Sequence, residues 1–268
     1  MSAFEALVLG IVQGVTEFLP ISSTAHLRIV PHWLGWSDPG TEFSAVIQLG
    51  TLLSVLLYFR EDVVRLTCAA LRSLADRKLF ATQDSRLAWS IVVGTLPVVI
   101  LGLGFKDWIK TEARQLWIIG VALIGLAILL WLAERYSRRR GNLDTLGFWS
   151  VQGIGLCQAL ALIPGCSRSG STIMGGLLVG LDCAEAARFS FLLGLPAILG
   201  SGLFELWELS HSGFGGHGTL PLLLGIASAF VSGWVAIEFL LRFLRTHGTL
   251  LFVLYRILLG SVILATLP

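Results

Sequence analysis

The sequence predicts an all-α polytopic membrane protein, with six transmembrane helices and two re-entrant helical hairpins arranged as an inverted-topology repeat. Three observations lead there: an apolar composition, six stretches long enough to cross a bilayer, and two further apolar stretches interrupted by polar turns. Of 268 residues, 55% are hydrophobic and 13% charged, about half the charge content of a soluble domain. The start of the chain carries Glu5 but no basic cluster and no small-residue cleavage site, so a removable signal peptide is not expected. Net charge is +2, and the basic residues gather on no single helical face, which argues against a nucleic-acid partner. Cys68, Cys157, Cys166 and Cys183 lack metal-ligand or paired spacing and read as small apolar fillers.

In chain order, Ala3–Leu19 is apolar but runs into "PISSTAHLRIVPHW", too polar for a return span. Phe43–Phe59, Leu87–Phe105 and Gln115–Ala133 then each suit a bilayer, which takes about 20 residues. The second half repeats the plan. Gly147–Ile163 runs into "PGCSRSGST" and a short apolar stretch from Ile173 to Leu181, and the spans Phe189–Leu209, Thr219–Leu241 and Thr249–Pro268 follow. A helix, a proline-opened polar turn and a half-length helix describe a hairpin that enters and leaves by one face, and such backbone is tolerated only where protein or water surrounds it. The plainer alternative is an interfacial helix followed by a loop.

"GIVQGVTEFLPISS" from Gly10 can be laid on "GLCQALALIPGCS" from Gly155 with one gap, which divides a single membrane domain into halves 1–141 and 142–268, with hairpins over about 3–35 and 147–181. Lys and Arg number six from Arg60 to Arg86, four from Arg135 to Arg140, and two at Arg242 and Arg245. The opposite side has Lys106, Lys110 and Arg114. By the positive-inside rule the richer side is cytoplasmic and both termini face outward. An odd number of spans per half then inverts the halves, and the hairpin tips should meet near the midplane.

Gln13 and Glu17, four residues apart, share a helical face, with Gly10 and Gly14 close by to permit tight packing. An intramembrane carboxylate points to function, whereas Gln13 also suits a simple interhelical bond. Ser22, Ser23 and Thr24 exceed what one N-cap requires, and with His26 they turn a helix start into an anion site. "PGCSRSGST" repeats the device with Ser167, Ser169, Ser171 and Thr172 as donors, Gly165 and Gly170 giving freedom, and Arg168 at the tip. Either Glu17 or a bound anion can partner Arg168, and its planar fork favours the anion. Glu238 and Arg256 are expected to pair across adjacent spans, and Glu205, Glu208 and Arg188 to be structural ends. His32, His211, His217 and His247 fall in or beside loops, with no spacing that suggests ligands. Two anion-cradling turns facing one another inside a membrane fit a phosphorylated lipid, whose tail can stay in the bilayer.

"QGVTEFLPISSTAH" together with "PGCSRSGST", over essentially the whole chain, resembles the BacA-type undecaprenyl-diphosphate phosphatases of bacterial inner membranes. The resemblance implies hydrolysis of undecaprenyl diphosphate to undecaprenyl phosphate and inorganic phosphate at a site open to the periplasm. Carrier-lipid recycling for peptidoglycan synthesis and bacitracin resistance would follow. Carried onto this chain, the family's acidic motif falls on Gln13 and Glu17, its hydroxyl-histidine segment on Ser22, Ser23, Thr24 and His26, and its phosphate loop on Ser167, Arg168, Ser169, Gly170 and Thr172. Many members have Glu where this chain has Gln13, which puts in doubt any mechanism needing two carboxylates or a tightly held divalent cation.

In phosphoryl transfer a protein mainly positions groups and offsets charge. Arg168 and the helix starts suit that task. Glu17 would activate either Ser23 or a water, and His26 would be the nucleophile itself or protonate the leaving group. Catalysis is therefore expected of Glu17, Ser23, His26 and Arg168. Substrate binding is expected of Gln13, Ser22, Thr24, Ser167, Ser169, Gly170 and Thr172. A magnesium or calcium ion, if one takes part, would have Glu17 as its ligand. The expected partners are the polyprenyl diphosphate and membrane lipids, with a homodimer left open. The rival class is a lipid-phosphate transporter, since broken helices in an inverted repeat also build transporters. A PAP2-type phosphatase needs a histidine soon after its serine-arginine loop, and none follows Arg168 before His211.

Overall fold

The structure is a computed structural model and describes all residues except 106–107, 110–112, 114, 139–140, 144–145, 213–217 and 268. Lys106, Lys110, Arg114, Arg139, Arg140 and His217 therefore lie outside the described residues, as do the side chains of Glu205, Glu208 and His211.

The chain is helical along its described length. The first half comprises α1 (Ala3–Phe18), α2 (Ser23–Leu34), α3 (Gly40–Tyr58), α4 (Arg60–Ala75), α5 (Gln83–Gly104) and α6 (Leu116–Tyr136). The second comprises α7 (Phe148–Ala159), which runs into a 3-10 turn, then α8 (Arg168–Leu178), α9 (Cys183–Ser212), α10 (Thr219–Leu244) and α11 (Leu250–Ala265). By length and composition, α5, α6, α10 and the Cys183–Phe204 part of α9 can each cross a membrane. A fifth span arises if α3 and α4, bent by 80° at their junction, count together. The sixth stretch anticipated from sequence forms α11, apolar but only 16 residues long. The protein is thus a helical membrane protein, with long apolar helices at four of the six places foreseen among the described residues.

Both polar turns sit at the tips of helical pairs. Phe4 at the start of α1 meets Trp36 beyond the end of α2, ring to ring at 6.3 Å, so the two helices fold back on one another. Around α7 and α8 the closure is through the backbone: Gly141 N–H donates to Gly180 and Asp182 N–H donates to Gly141. A Cβ on Gly175 of α8 would meet Ile154 and Cys157 of α7 at 3.1 Å, so close packing continues towards the turn.

Small residues let the rest approach. Glycines 10 and 14 of α1 lie against Gly225, Ser228, Ser232 and Gly233 of α10, where an added Cβ would stand 2.0 Å from a serine hydroxyl. Gly155 of α7 meets the backbone of Gly94 on α5 in the same way. Association by close backbone contact is what helices in lipid must use, since burying Leu against Leu gains little there.

Two expectations change. Glu238 does not pair with Arg256: its carboxylate is bonded to Tyr58 and Arg242, at the end of α10. Arg256 is completely buried and points at main-chain carbonyls instead. Cys68 is exposed on α4 and is no core filler, whereas Cys166 and Cys183 are buried. His32 sits in the last turn of α2, beside the loop that follows. Arg188 is structural as read, paired with Asp62 at 2.8 Å.

Candidate active site

Each turn ends on a serine with left-handed backbone, Ser22 at φ 75° and Ser167 at φ 66°. Such a conformation is strained for a residue with a Cβ and persists only where surroundings enforce it. Here the enforcement is a cap: Ser22 Oγ accepts from Ala25 N–H and Ser167 Oγ from Gly170 N–H, starting α2 and α8 respectively. Gln13 stands nine residues before Ser22, and Gln158 nine before Ser167. The internal correspondence therefore runs through the caps without the gap that matching the prolines required. Ser23 and Arg168 become equivalent, each the first residue of its helix.

Those two side chains converge on Glu17, in the last turn of α1. Ser23 Oγ donates to Glu17 Oε2 at 2.6 Å, Gln13 Nε2 donates to the same oxygen at 3.1 Å, and Arg168 Nη2 donates to Oε1 at 3.1 Å. Glu17 is 7% exposed. Sequence offered Glu17 or an anion as the partner of Arg168 and favoured the anion, but the structure pairs one guanidinium nitrogen with Glu17. The other, Nη1, is buried without a hydrogen-bond partner. It lies where Gly194 of α9 leaves room, since a Cβ there would stand 1.7 Å from it. A buried donor without a partner costs about 1–3 kcal/mol, so a ligand supplying an acceptor is favoured at this atom.

The remaining motif residues surround that centre. Ser169 Oγ donates to the Leu19 carbonyl at 3.0 Å, stitching the second turn to the first, and also contacts Ser167 Oγ. Thr172 turns away, bonding the Arg168 carbonyl and Ser190 of α9. Thr24 is exposed and reaches Ser22 Oγ at 3.2 Å. Ser171 Oγ is buried and unpartnered. His26, placed with Glu17 and Ser23 by sequence proximity, bonds neither of them. Its ring nitrogens contact the Ser22 carbonyl at 2.7 Å and Tyr255 Oη at 2.6 Å.

Arg256 holds the two turns together. Its guanidinium donates to Pro20 in the first turn, to Gly165 and Cys166 in the second, and to Ala122 and Leu123 of α6. Among the described residues it has no carboxylate partner, so Arg168 and Arg256 reach this centre against the single acid Glu17. A buried excess of one cation suits an anionic guest. Neither Tyr255 nor this role of Arg256 was legible in the sequence, because a lone hydroxyl and a ladder of main-chain acceptors leave no residue pattern.

The description "Bacitracin resistance protein BacA" belongs to the family whose model matches residues 6–262. The chain belongs to this family. Among its relatives, a protein of Myxococcus xanthus (strain DK1622) is 52% identical over 267 residues, covering 100% of this chain and 90% of its own. One of Chlorobium chlorochromatii (strain CaD3) is 48% identical, covering 98% and 96%. Another, of Chlorobium phaeobacteroides (strain BS1), is 50% identical, covering 98% and 96%. All three are named undecaprenyl-diphosphatase.

A divalent cation finds little in this arrangement. Among the described residues no three acidic, histidine or cysteine side chains converge, and both oxygens of Glu17 already accept hydrogen bonds. The protein side chains alone do not make a cation site here.

Proposed function

We propose that this BacA-family hydrolase cleaves undecaprenyl diphosphate to undecaprenyl phosphate and inorganic phosphate, with Ser23 as nucleophile and Glu17 as its base. The observation that carries the reading is the 2.6 Å contact of Ser23 Oγ with Glu17 Oε2, within the reach a nucleophile and its base require. Arg168 bonds the same carboxylate through Nη2 and keeps its buried Nη1 without a partner.

The terminal phosphoryl group would sit between the starts of α2 and α8, where free N–H groups and helix dipoles favour anions. Ser23 Oγ bonds to its phosphorus as the proton passes to Glu17. The bond from phosphorus to the bridging oxygen breaks, and the lipid monophosphate leaves with that electron pair. Arg168 offsets charge on the non-bridging oxygens, by far the largest contribution a protein makes to phosphoryl transfer. Water then releases inorganic phosphate from Ser23. No step is routed through a metal. Flipping a lipid phosphate would have no use for a base bonded to a hydroxyl, which favours the enzyme.

The cell would hold the protein in its inner membrane with six spans, two inverted halves at 1–141 and 142–268, and both termini and the site mouth facing the periplasm. Returning carrier lipid to peptidoglycan synthesis and resisting bacitracin would be the consequences, and the functional unit is a single chain or a homodimer. Purified protein in detergent, with no second compartment, should release phosphate from polyprenyl diphosphate. Lipid movement without phosphate release in reconstituted vesicles would overturn the phosphatase reading. Ser37, exposed just beyond α2, tests the orientation: Ser37→Cys should react with an impermeant thiol reagent in intact cells.

A further inference from the structure

His26 is 8% exposed, whereas Tyr255, on α11, is 40% exposed. Their rings stack nearly parallel, 7° apart with centroids at 5.7 Å, and Tyr255 Oη lies 2.6 Å from His26 Nε2. The roles follow from the other nitrogen. His26 Nδ1 is 2.7 Å from the carbonyl of Ser22, and a carbonyl has no proton to give, so Nδ1 carries the hydrogen and donates. A neutral imidazole has one N–H. Nε2 is then a lone pair, and the Tyr255 hydroxyl donates to it. The acceptor on His26 faces the phenol and not Ser23, whose proton is taken up by Glu17.

We propose that Tyr255 is a positioning residue for hydrolysis of the phosphorylated serine. It donates to the Nε2 lone pair of the Nδ1–H tautomer that the Ser22 carbonyl sets, and connects that acceptor to the water that attacks phosphorus. This rests on the reading that Ser23 is phosphorylated and His26 takes part in its release. As the water oxygen bonds to phosphorus, one of its O–H bonds breaks and that proton moves to Tyr255 Oη. The phenol's own proton passes to His26 Nε2, leaving an intact phenol and an imidazolium. The bond from Ser23 Oγ to phosphorus breaks with its electron pair on oxygen, and Oγ recovers the proton that Glu17 had taken. The imidazolium returns its proton to solvent along the same path. Each step then has its own base: Glu17 for attack by serine, and His26 through Tyr255 for attack by water. The sum is one water consumed, one anhydride bond broken and one proton released.

Tyr255→Phe keeps the stacked ring and removes only the hydroxyl. The expected result is a fall in kcat of about 10–10²-fold, within what proton transfer by a placed group contributes, with KM falling alongside it and kcat/KM near the parental value, because release of the phosphorylated serine has become limiting. A burst of lipid monophosphate should precede inorganic phosphate, because the second step alone is slowed. In a His26→Ala background the same change should cost nothing further, since two residues on one path are not additive. Parental kcat in Tyr255→Phe beside an impaired His26→Ala would overturn the role of Tyr255 and leave that of His26 standing. Parental kcat in His26→Ala would overturn the underlying reading of His26 instead. A loss in Tyr255→Phe that shows no burst, or that adds fully to His26→Ala, would make the tyrosine a packing residue. Nitrogen-15 NMR of His26 in the unaltered protein needs no variant to fold: it should show protonation at Nδ1, and protonation at Nε2 alone would overturn the proposal.

Discussion

The turn before α2 and the turn before α8 have the same backbone and opposite chemistry. Both end on a capping serine at positive φ, and both have a buried glutamine nine residues earlier. At matching places the first turn has Glu17, Ser23 and His26, and the second has Leu162, Arg168 and Ser171. Gln13 is bonded to Glu17, whereas both polar atoms of Gln158 are buried without a partner. Two helix starts that face one another could not both carry an acid, or both an arginine, without like charges repelling. One turn with Glu17 and Ser23 and one with Arg168 avoids that, and Arg256 ties both to α6 without adding an acid.

The comparison is broken most severely by Ser23→Ala, which removes the nucleophile from the first turn. Turnover should fall by about 10⁴–10⁶-fold, as for other enzymes that lose one, while the lipid diphosphate still binds. Arg168→Ala is next, with a loss of about 10²–10³-fold in kcat. Arg168→Lys keeps charge but not the two-nitrogen fork and should be impaired nearly as far. Because Arg168 is paired with Glu17, the alanine variant should also melt at a lower temperature than the parent. Near-parental turnover in the lysine variant would reduce Arg168 to a structural ion-pair partner. Gly194→Ala tests the second turn without touching it: the new methyl would occupy the place of Nη1, and a displaced guanidinium should cost about 10²-fold in kcat/KM. The smallest effect separates the two glutamines. Gln13→Leu should lower activity about tenfold by freeing Glu17 Oε2 of one donor. Gln158→Leu, of similar volume, should leave activity unchanged and raise stability by about 1 kcal/mol, since it removes two unpaired buried polar atoms. A thermal melt of each variant beside its rate decides this.

Much of this was legible in residue order. The apolar helices begin and end near the places that hydropathy and proline mark, whereas α4 falls where the sequence suggests a loop, and Glu17, Ser23 and Arg168 stand out in the residue order alone. Their convergence was foreseen only in outline, since spacing along one helix shows which residues share a face and says nothing of which oxygen meets which nitrogen. The pairing of Glu238 with Arg256 failed because depth inferred from two ideal helices ignored Tyr58 and Arg242, which reach the carboxylate first. Arg256 finds carbonyls in both polar turns and on the unbroken α6, an acceptor set written in the backbone and not in side chains. His26 was grouped with Ser23 because they are three residues apart, yet its ring turns to a tyrosine 229 positions away.

The central claim is that Ser23, activated by Glu17, is the group that attacks phosphorus. Acid quenching of a single turnover on polyprenyl diphosphate labelled in its terminal phosphate, followed by peptide mapping, tests it most directly. The account predicts acid-stable label on the peptide that contains Ser23, increased in Tyr255→Phe and absent from Ser23→Ala. Acid-labile label on His26, or label that persists on this peptide in Ser23→Ala, would contradict it.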